Sequence, residues 1–403
     1  MLARCDTLAS CSEEPGRITR RYGTPALAAA RDLVAGWMRE AGLDVRVDAI
    51  GNLRGRYAGT EPAAPALLLG SHLDSVRDAG RYDGPLGVLA AIAAVERLHK
   101  AGRRVRFPVE VVTFADEEGL RFQTTYLGSR TLTGLIDVST LDRPDQDGIT
   151  LRDAIAAFGG DAENLSAAAL RQGEAFAYVE VHIEQGPRLE FEDVPVGVVT
   201  AIAGMARLTV EFRGEAGHAG TVAMDLRRDA LPAAAEFILA VEDAGRSTPG
   251  LVATVGEVTV APGASNVIPG SVRLSLDVRH PDDAIRTRSG AMLERRGRDI
   301  AAARSLDIAW KPVQENRAVP CDEGLAAKLE EAIVAAGHPV VRLPSGAGHD
   351  GAVMSEAAPV AMLFVRCAGG ISHNPAEAVT LGDVAVAIDV LDRFIDRLAE
   401  QRS

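Results

Sequence analysis

Ala66-Leu67-Leu68-Leu69-Gly70-Ser71-His72-Leu73-Asp74-Ser75-Val76, continuing through Gly80-Arg81-Tyr82-Asp83-Gly84-Pro85, is an apolar run that ends in ligand-type side chains. The run has the length of a buried strand. Gly84 and Pro85 then introduce a helical segment from Gly87 to Ala101, and Val109 to Phe114 supplies a second apolar run. Continuous apolar stretches alternating with helices predict an α/β fold whose central strands are covered on both faces. In such sheets, functional groups collect beyond the carboxyl ends of the strands, and that is where His72, Asp74 and Asp83 fall.

The same placement recurs further along. Asp116-Glu117-Glu118-Gly119 follows the Val109 to Phe114 run, His182 lies at the end of Tyr178 to Ile183, and His373 lies in a loop after Val360 to Val365. Any one of these is ordinarily a satisfied loop histidine or a solvated acidic turn. Three histidines and several acids, each near glycine at a strand end, fit that account poorly. Imidazole and carboxylate without thiolate suit zinc, manganese, cobalt or nickel and leave room for water. One carboxylate can bridge two ions, and an adjacent unligated acid such as Glu117 meets the requirements of a general base.

Outward from this core, Thr24 and Pro25 open a helix that Gly42 closes. From about Met205 the pattern changes to β-α-β-β-α-β: Arg207 to Phe212, Ala230 to Ala244, Leu251 to Val260, Ser271 to Val278, Asp282 to Ser305 and Leu306 to Trp310. This predicts an inserted split-βαβ (ferredoxin-like) domain over 205–314. Residues 1–204 and 315–403 then form one discontinuous catalytic domain, with helices near Asp322 to Ala336 and Leu381 to Leu398.

A net charge of -13 disfavours nucleic acid or an anionic membrane as partner. No apolar run approaches the roughly 20 residues of a membrane span, and Met1 to Pro15 lacks the apolar centre of a signal peptide, so a cytoplasmic location is expected. The four scattered cysteines are expected to be free thiols.

Taken together, His72-x-Asp74, Asp83-Gly84, Glu117-Glu118, His182 and His373 with an inserted domain resemble the di-metal aminoacylase/carboxypeptidase superfamily. Gly70 to Val76, Gly80 to Gly84, Asp116 to Phe122, His182 to Gly186, Gly217 to Thr221, Ser265 to Gly270 and Gly346 to Asp350 are similar to its hydantoinase/carbamoylase branch. That branch includes allantoate amidohydrolases, N-carbamoyl-L-amino acid hydrolases and ureidopropionases, and the resemblance spans essentially the whole chain.

The resemblance implies two divalent ions per subunit, one held by His72, Asp83 and His182 and the other by Asp83, Glu118 and His373. Asp83 is then the bridge, Asp74 orients His72, and Glu117 is the acid/base. It assigns substrate contacts to Gln185, His218, Asn266 and Arg279. His218 acts on the active site of a partner subunit in a homodimer joined through the inserted domain, which also serves as a lid. Arg279 suits a carboxylate because a guanidinium binds one through two parallel hydrogen bonds. Gly351 and Ala223 depart from the branch's usual alanine and proline but replace no ligand.

Expected substrates are small ureido carboxylates. Arg77 to Tyr82 and Ala115 to Gly119 look closer to the allantoate amidohydrolases than to the carbamoylases, so the resemblance implies allantoate before an N-carbamoyl-L-amino acid. A dipeptidase or aminoacylase fits the His182 to Gly186 string less well. A non-catalytic binding protein on this scaffold would be expected to lose the base or a ligand.

Overall fold

A computed structural model describes residues 1–400, which divide into two compact units. The first holds Met1–Thr200, Cys321–Leu343 and the chain from Gly348 onward; the second holds Ala201–Pro320 and Pro344–Ala347. Pro344–Ala347 groups with the second unit, unlike the expected boundary, because Ala203 N–H donates to Ser345 O and the Arg279 guanidinium to Gly346 O.

In the first unit one mixed sheet runs in the order Asp44–Val47, Leu53–Tyr57, Val109–Phe114, Ala66–His72, Ala175–Ile183, Val360–Val365, Val196–Ile202. Its middle four strands are parallel. Ala66–His72, Val109–Phe114 and Val360–Val365 are buried at every residue, as continuous apolar runs require. Glu110, inside one of these runs, is tolerated because Arg54 lies 2.6 Å from its carboxylate, and Arg46 and Arg56 each lie 3.2 Å away. A buried carboxylate needs such pairing to remain charged.

The helix Pro85–Lys100 packs on Ala66–His72 and Ala175–Ile183. A Cβ at Gly87 would lie 2.0 Å from Val181 O, so the helix reaches the sheet only because that position carries no side chain. Thr24 caps Pro25–Glu40 by accepting from Leu27 N–H.

Strand pairing runs past the apolar Ala66 to Leu69 stretch, through Ser71↔Thr113 and His72↔Phe114, so His72 is a strand residue, and so is His182 within Ala175–Ile183. The segment Leu2–Ala9 is a helix with Cys5 and Leu8 buried. The buried Arg20 guanidinium fastens it, donating to Leu8 O and Leu73 O at 3.0 Å each.

The second unit has an antiparallel sheet ordered Val258–Ala261, Ser271–His280, Gly204–Arg213, Asp307–Asn316, with Val252–Thr254 also pairing with Ser271–His280. Alternation buries Val272, Leu274, Leu276 and Val278 beside the helices Ala230–Ser247 and Asp283–Ala303. The expected single strand Leu251 to Val260 is broken because Ser275 Oγ accepts the N–H groups of Gly256 and Glu257. Gly217–His218 pairs separately with Val267–Ile268.

Among the described residues no helix is long and apolar enough to cross a membrane. All four cysteines are free, with Cys5, Cys321 and Cys367 buried.

Candidate metal centre

Four neighbouring strand ends bring the ligand-type residues together, and Asp83 lies at their meeting point. Its Oδ1 is 3.2 Å from His182 Nε2 and 3.7 Å from His72 Nε2. Its Oδ2 is 3.1 Å from His373 Nε2, which in turn is 3.5 Å from Glu118 Oε1. The two oxygens of one carboxylate therefore face two separate groups, His72/Asp83/His182 and Asp83/Glu118/His373, and in each the ligand-type atoms lie within 4.8 Å of one another.

Local chemistry fixes how the imidazoles point. His182 Nδ1 is 2.9 Å from Ile183 O, and His72 Nδ1 is 3.1 Å from Asp74 O. A carbonyl partner takes the Nδ1 proton and leaves the Nε2 lone pair free. His182 Nε2 is buried with no hydrogen bond of good geometry, an orphaned acceptor where an ion would sit. Gly84 has φ +80, and a Cβ there would stand 2.6 Å from the His72 ring. Only glycine lets the chain leave Asp83 into the next helix in this way.

Electrostatics show a site short of positive charge. Burial, then the Glu118 charge, pushes Glu117 well above the usual carboxylate range, and burial, then Asp83, raises Glu118 to about 7. Burial acts against charge on Asp83 too, yet the imidazoles of His182, His373 and His72 gathered around it hold its carboxyl well below the usual range. Burial opposes the imidazolium of His72, but its contacts with Asp74 and Asp83 lift it well above an ordinary histidine. Crowded buried carboxylates among imidazoles fit divalent cations, whose charge relieves the repulsion. Either group could hold an ion.

Asp74 does more than was anticipated. Its carboxylate accepts Glu117 N–H at 2.9 Å and Glu118 N–H at 3.0 Å, whereas its approach to His72 Nδ1 is 3.4 Å. It pins the turn that separates the two glutamates. Glu118 joins an ion group and Glu117 belongs to neither. Gln185 Nε2 donates to Asp83 Oδ2 at 3.1 Å and to Ser372 Oγ at 3.0 Å, so in this state it braces the centre.

His218, Asn266 and Arg279 belong to the second unit. His218 is exposed, and its Nδ1 accepts Gly220 N–H at 3.1 Å. Arg279 is held in a fork by Asp277, at 2.8 and 2.9 Å. His349 and Asp350 are fully buried: the His349 ring lies 4.5 Å from that of His182, and Asp350 accepts from Ser129.

Ser372, Glu180 and Glu377 were not singled out by sequence. Glu180 accepts from Ser71, Tyr178 and Gly351 N–H and ties three segments beneath the ligands. Its only signal was an acid inside an apolar strand, two residues before His182.

A family model described as Peptidase family M20/M25/M40 matches residues 68–397. An N-carbamoyl-L-amino acid amidohydrolase of Geobacillus stearothermophilus is 43% identical over 385 residues, 96% of this chain and 94% of that protein. A probable allantoate deiminase of Oryza sativa subsp. japonica is 41% identical over 429 residues, 98% of this chain and 87% of that protein. Among solved structures, a hydantoinase/carbamoylase family amidase from Burkholderia multivorans superposes with a TM-score of 0.93 at 34% identity, covering 100% of this chain and 98% of that one.

Proposed function

Since this chain belongs to Peptidase family M20/M25/M40, we propose that it hydrolyses the ureido C–N bond of a small carboxylate, with allantoate as preferred substrate and ammonia and carbon dioxide among the products. It is an amidohydrolase acting on C–N bonds. The observation that carries the proposal is the division of Asp83, one oxygen toward His72 and His182 and the other toward His373, with Glu117 left outside both groups.

His72, Asp83 and His182 would hold one divalent cation and Asp83, Glu118 and His373 a second, zinc or manganese, with cobalt or nickel also compatible with these donors. When bound, such a pair supplies carbonyl polarisation and a more acidic water. Glu117 takes the proton of the attacking water on its carboxylate and returns it to the leaving nitrogen. Asp74 keeps Glu117 in place by holding its backbone N–H, and Gln185 stands beside Asp83 to meet the substrate. Arg279, presented by Asp277, grips the substrate carboxylate, and Asn266 contributes a further polar contact.

Allantoate is favoured by the Arg77 to Tyr82 and Ala115 to Gly119 strings and by the similarity to the rice deiminase. The Geobacillus relative favours an N-carbamoyl-L-amino acid as the second reading. After metal stripping and reconstitution with each of the four ions, ammonia release should be faster from allantoate than from any of several N-carbamoyl-L-amino acids. No turnover of allantoate beside turnover of the carbamoyl compounds would reverse the order.

The second unit is proposed as a ferredoxin-like lid and dimerisation domain that carries His218 to the partner's centre. Because His218 Nδ1 accepts the Gly220 amide, its proton sits on Nε2, the donor a developing oxyanion requires. Co-expressed His218→Ala and Glu117→Gln chains, each inactive alone, should regain activity, since one centre of the mixed dimer has both an intact Glu117 and the other chain's His218. Failure of mixed dimers to regain activity would place His218 in its own chain's centre or outside the chemistry.

A further inference from the structure

Two of the five ligand-type residues stand on strands, and three do not. His72 and His182 are held by sheet pairing, whereas Asp83 and His373 sit in loops nearly three hundred positions apart in sequence, and His373 has φ +55, in the left-handed region. Gln185 joins the two loops at the Asp83 and Ser372 side chains, and a second side chain joins them through the backbone of the Asp83 loop.

Glu377 is 4% exposed. Its Oε1 accepts the backbone N–H of Tyr82 at 2.7 Å and of Asp83 at 3.1 Å, and its Oε2 is 3.2 Å from the Ser372 hydroxyl, immediately before His373. Ser372 Oγ also lies 3.3 Å from Asp83 Oδ2. The fit around this carboxylate is close, since a Cβ at Gly80 would stand 2.2 Å from Glu377 Cδ and 2.3 Å from Oε1. Glu377 belongs to neither ion group.

From this geometry we infer that Glu377 is a positioning residue that clamps the Asp83 loop to the Ser372-His373 loop and so sets the affinity of the Asp83/Glu118/His373 group for its ion. The inference rests on the two-ion reading proposed above. Two of the three donors of the His72/Asp83/His182 group, His72 and His182, are held by the sheet, whereas none of Asp83, Glu118 and His373 is, so the first group depends on the clamp less. Losing the clamp should therefore separate the two ions, weakening one by about 10–100-fold, the usual effect of losing a partner that orients a ligand, while the other stays.

The test is equilibrium dialysis of the full-length chain against buffered cobalt, reading ion content per chain and the cobalt visible spectrum, with folding followed by circular dichroism. Wild type should take up two ions. At free cobalt only a few times the wild-type dissociation constant of the weaker ion, Glu377→Ala should retain one ion and lose most of the spectral component of the other. Glu377→Gln should return to two, because its amide oxygen can accept both backbone N–H groups and its nitrogen can donate to Ser372. Gly80→Ala, whose Cβ would press on the same carboxylate, should repeat the one-ion result and carries the test if Glu377→Ala does not fold. Two ions bound by folded Glu377→Ala or Gly80→Ala with wild-type affinity, or equal weakening of both ions, would overturn the inference. A wild-type chain that takes up fewer than two ions would instead remove the two-ion reading itself.

Discussion

Glu117→Gln is expected to lower turnover by about 10²–10⁴-fold, the usual contribution of a positioned general base, with metal content unchanged. The second half of this expectation follows from geometry. Glu117 is part of neither ligand group, and the hydrogen bond that fixes it, from its backbone N–H to Asp74 Oδ1, survives a side-chain substitution. An amide of the same shape also relieves the repulsion from Glu118 that burial imposes on the wild-type carboxylate, so the variant should fold at least as well. Metal analysis beside single-turnover ammonia release would check both halves. Unchanged ions with unchanged turnover would dismiss Glu117 as the base.

How much of this was legible in the sequence depends on the residue. The parallel centre of the sheet was legible because Ala66 to Leu69, Val109 to Phe114 and Val360 to Val365 are mainly apolar runs, broken only by Glu110 and Thr113, and such runs have few other homes. The convergence of His72, Glu118, His182 and His373 could be expected because each lies at or beyond the end of one of these runs or of Tyr178 to Ile183, and parallel strands present their ends on one edge. Strand ends were less legible: Gly70-Ser71-His72 looks like a turn, and only the ladder to Val112-Thr113-Phe114 keeps it extended.

Glu377 and Arg20 could not be read at all. Their partners are mostly backbone groups, Tyr82 and Asp83 N–H for one and Leu8 and Leu73 O for the other, and backbone groups carry no sequence signature. Asp74 shows the same limit from the other side. The family resemblance implied that it orients His72, while its best hydrogen bonds run to two backbone N–H groups some forty residues away.

Replacing Asp83 should have the largest effect in the molecule, because it alone faces both groups. In Asp83→Ala, His72 and His182 lose their common carboxylate and His373 keeps only Glu118. Two imidazoles without a charged donor hold a divalent ion weakly, and a lone imidazole–carboxylate pair does little better. Both ions should therefore be lost together, under conditions where His373→Ala keeps the ion of the His72 group and His182→Ala keeps the other. Activity should fall below detection. An independent readout is thermal unfolding with and without added metal. An ion that binds only the folded chain stabilises it by about 2.7 kcal/mol at a hundred times its dissociation constant, so wild type should melt at a higher temperature with metal and Asp83→Ala should not respond. The metal-free variant need not be unstable, since removal of the carboxylate also removes a buried charge that pushes up both Glu118 and Glu377. A variant that still bound two ions, or whose melting temperature rose with metal as the wild type's does, would show that the two groups do not share a bridge.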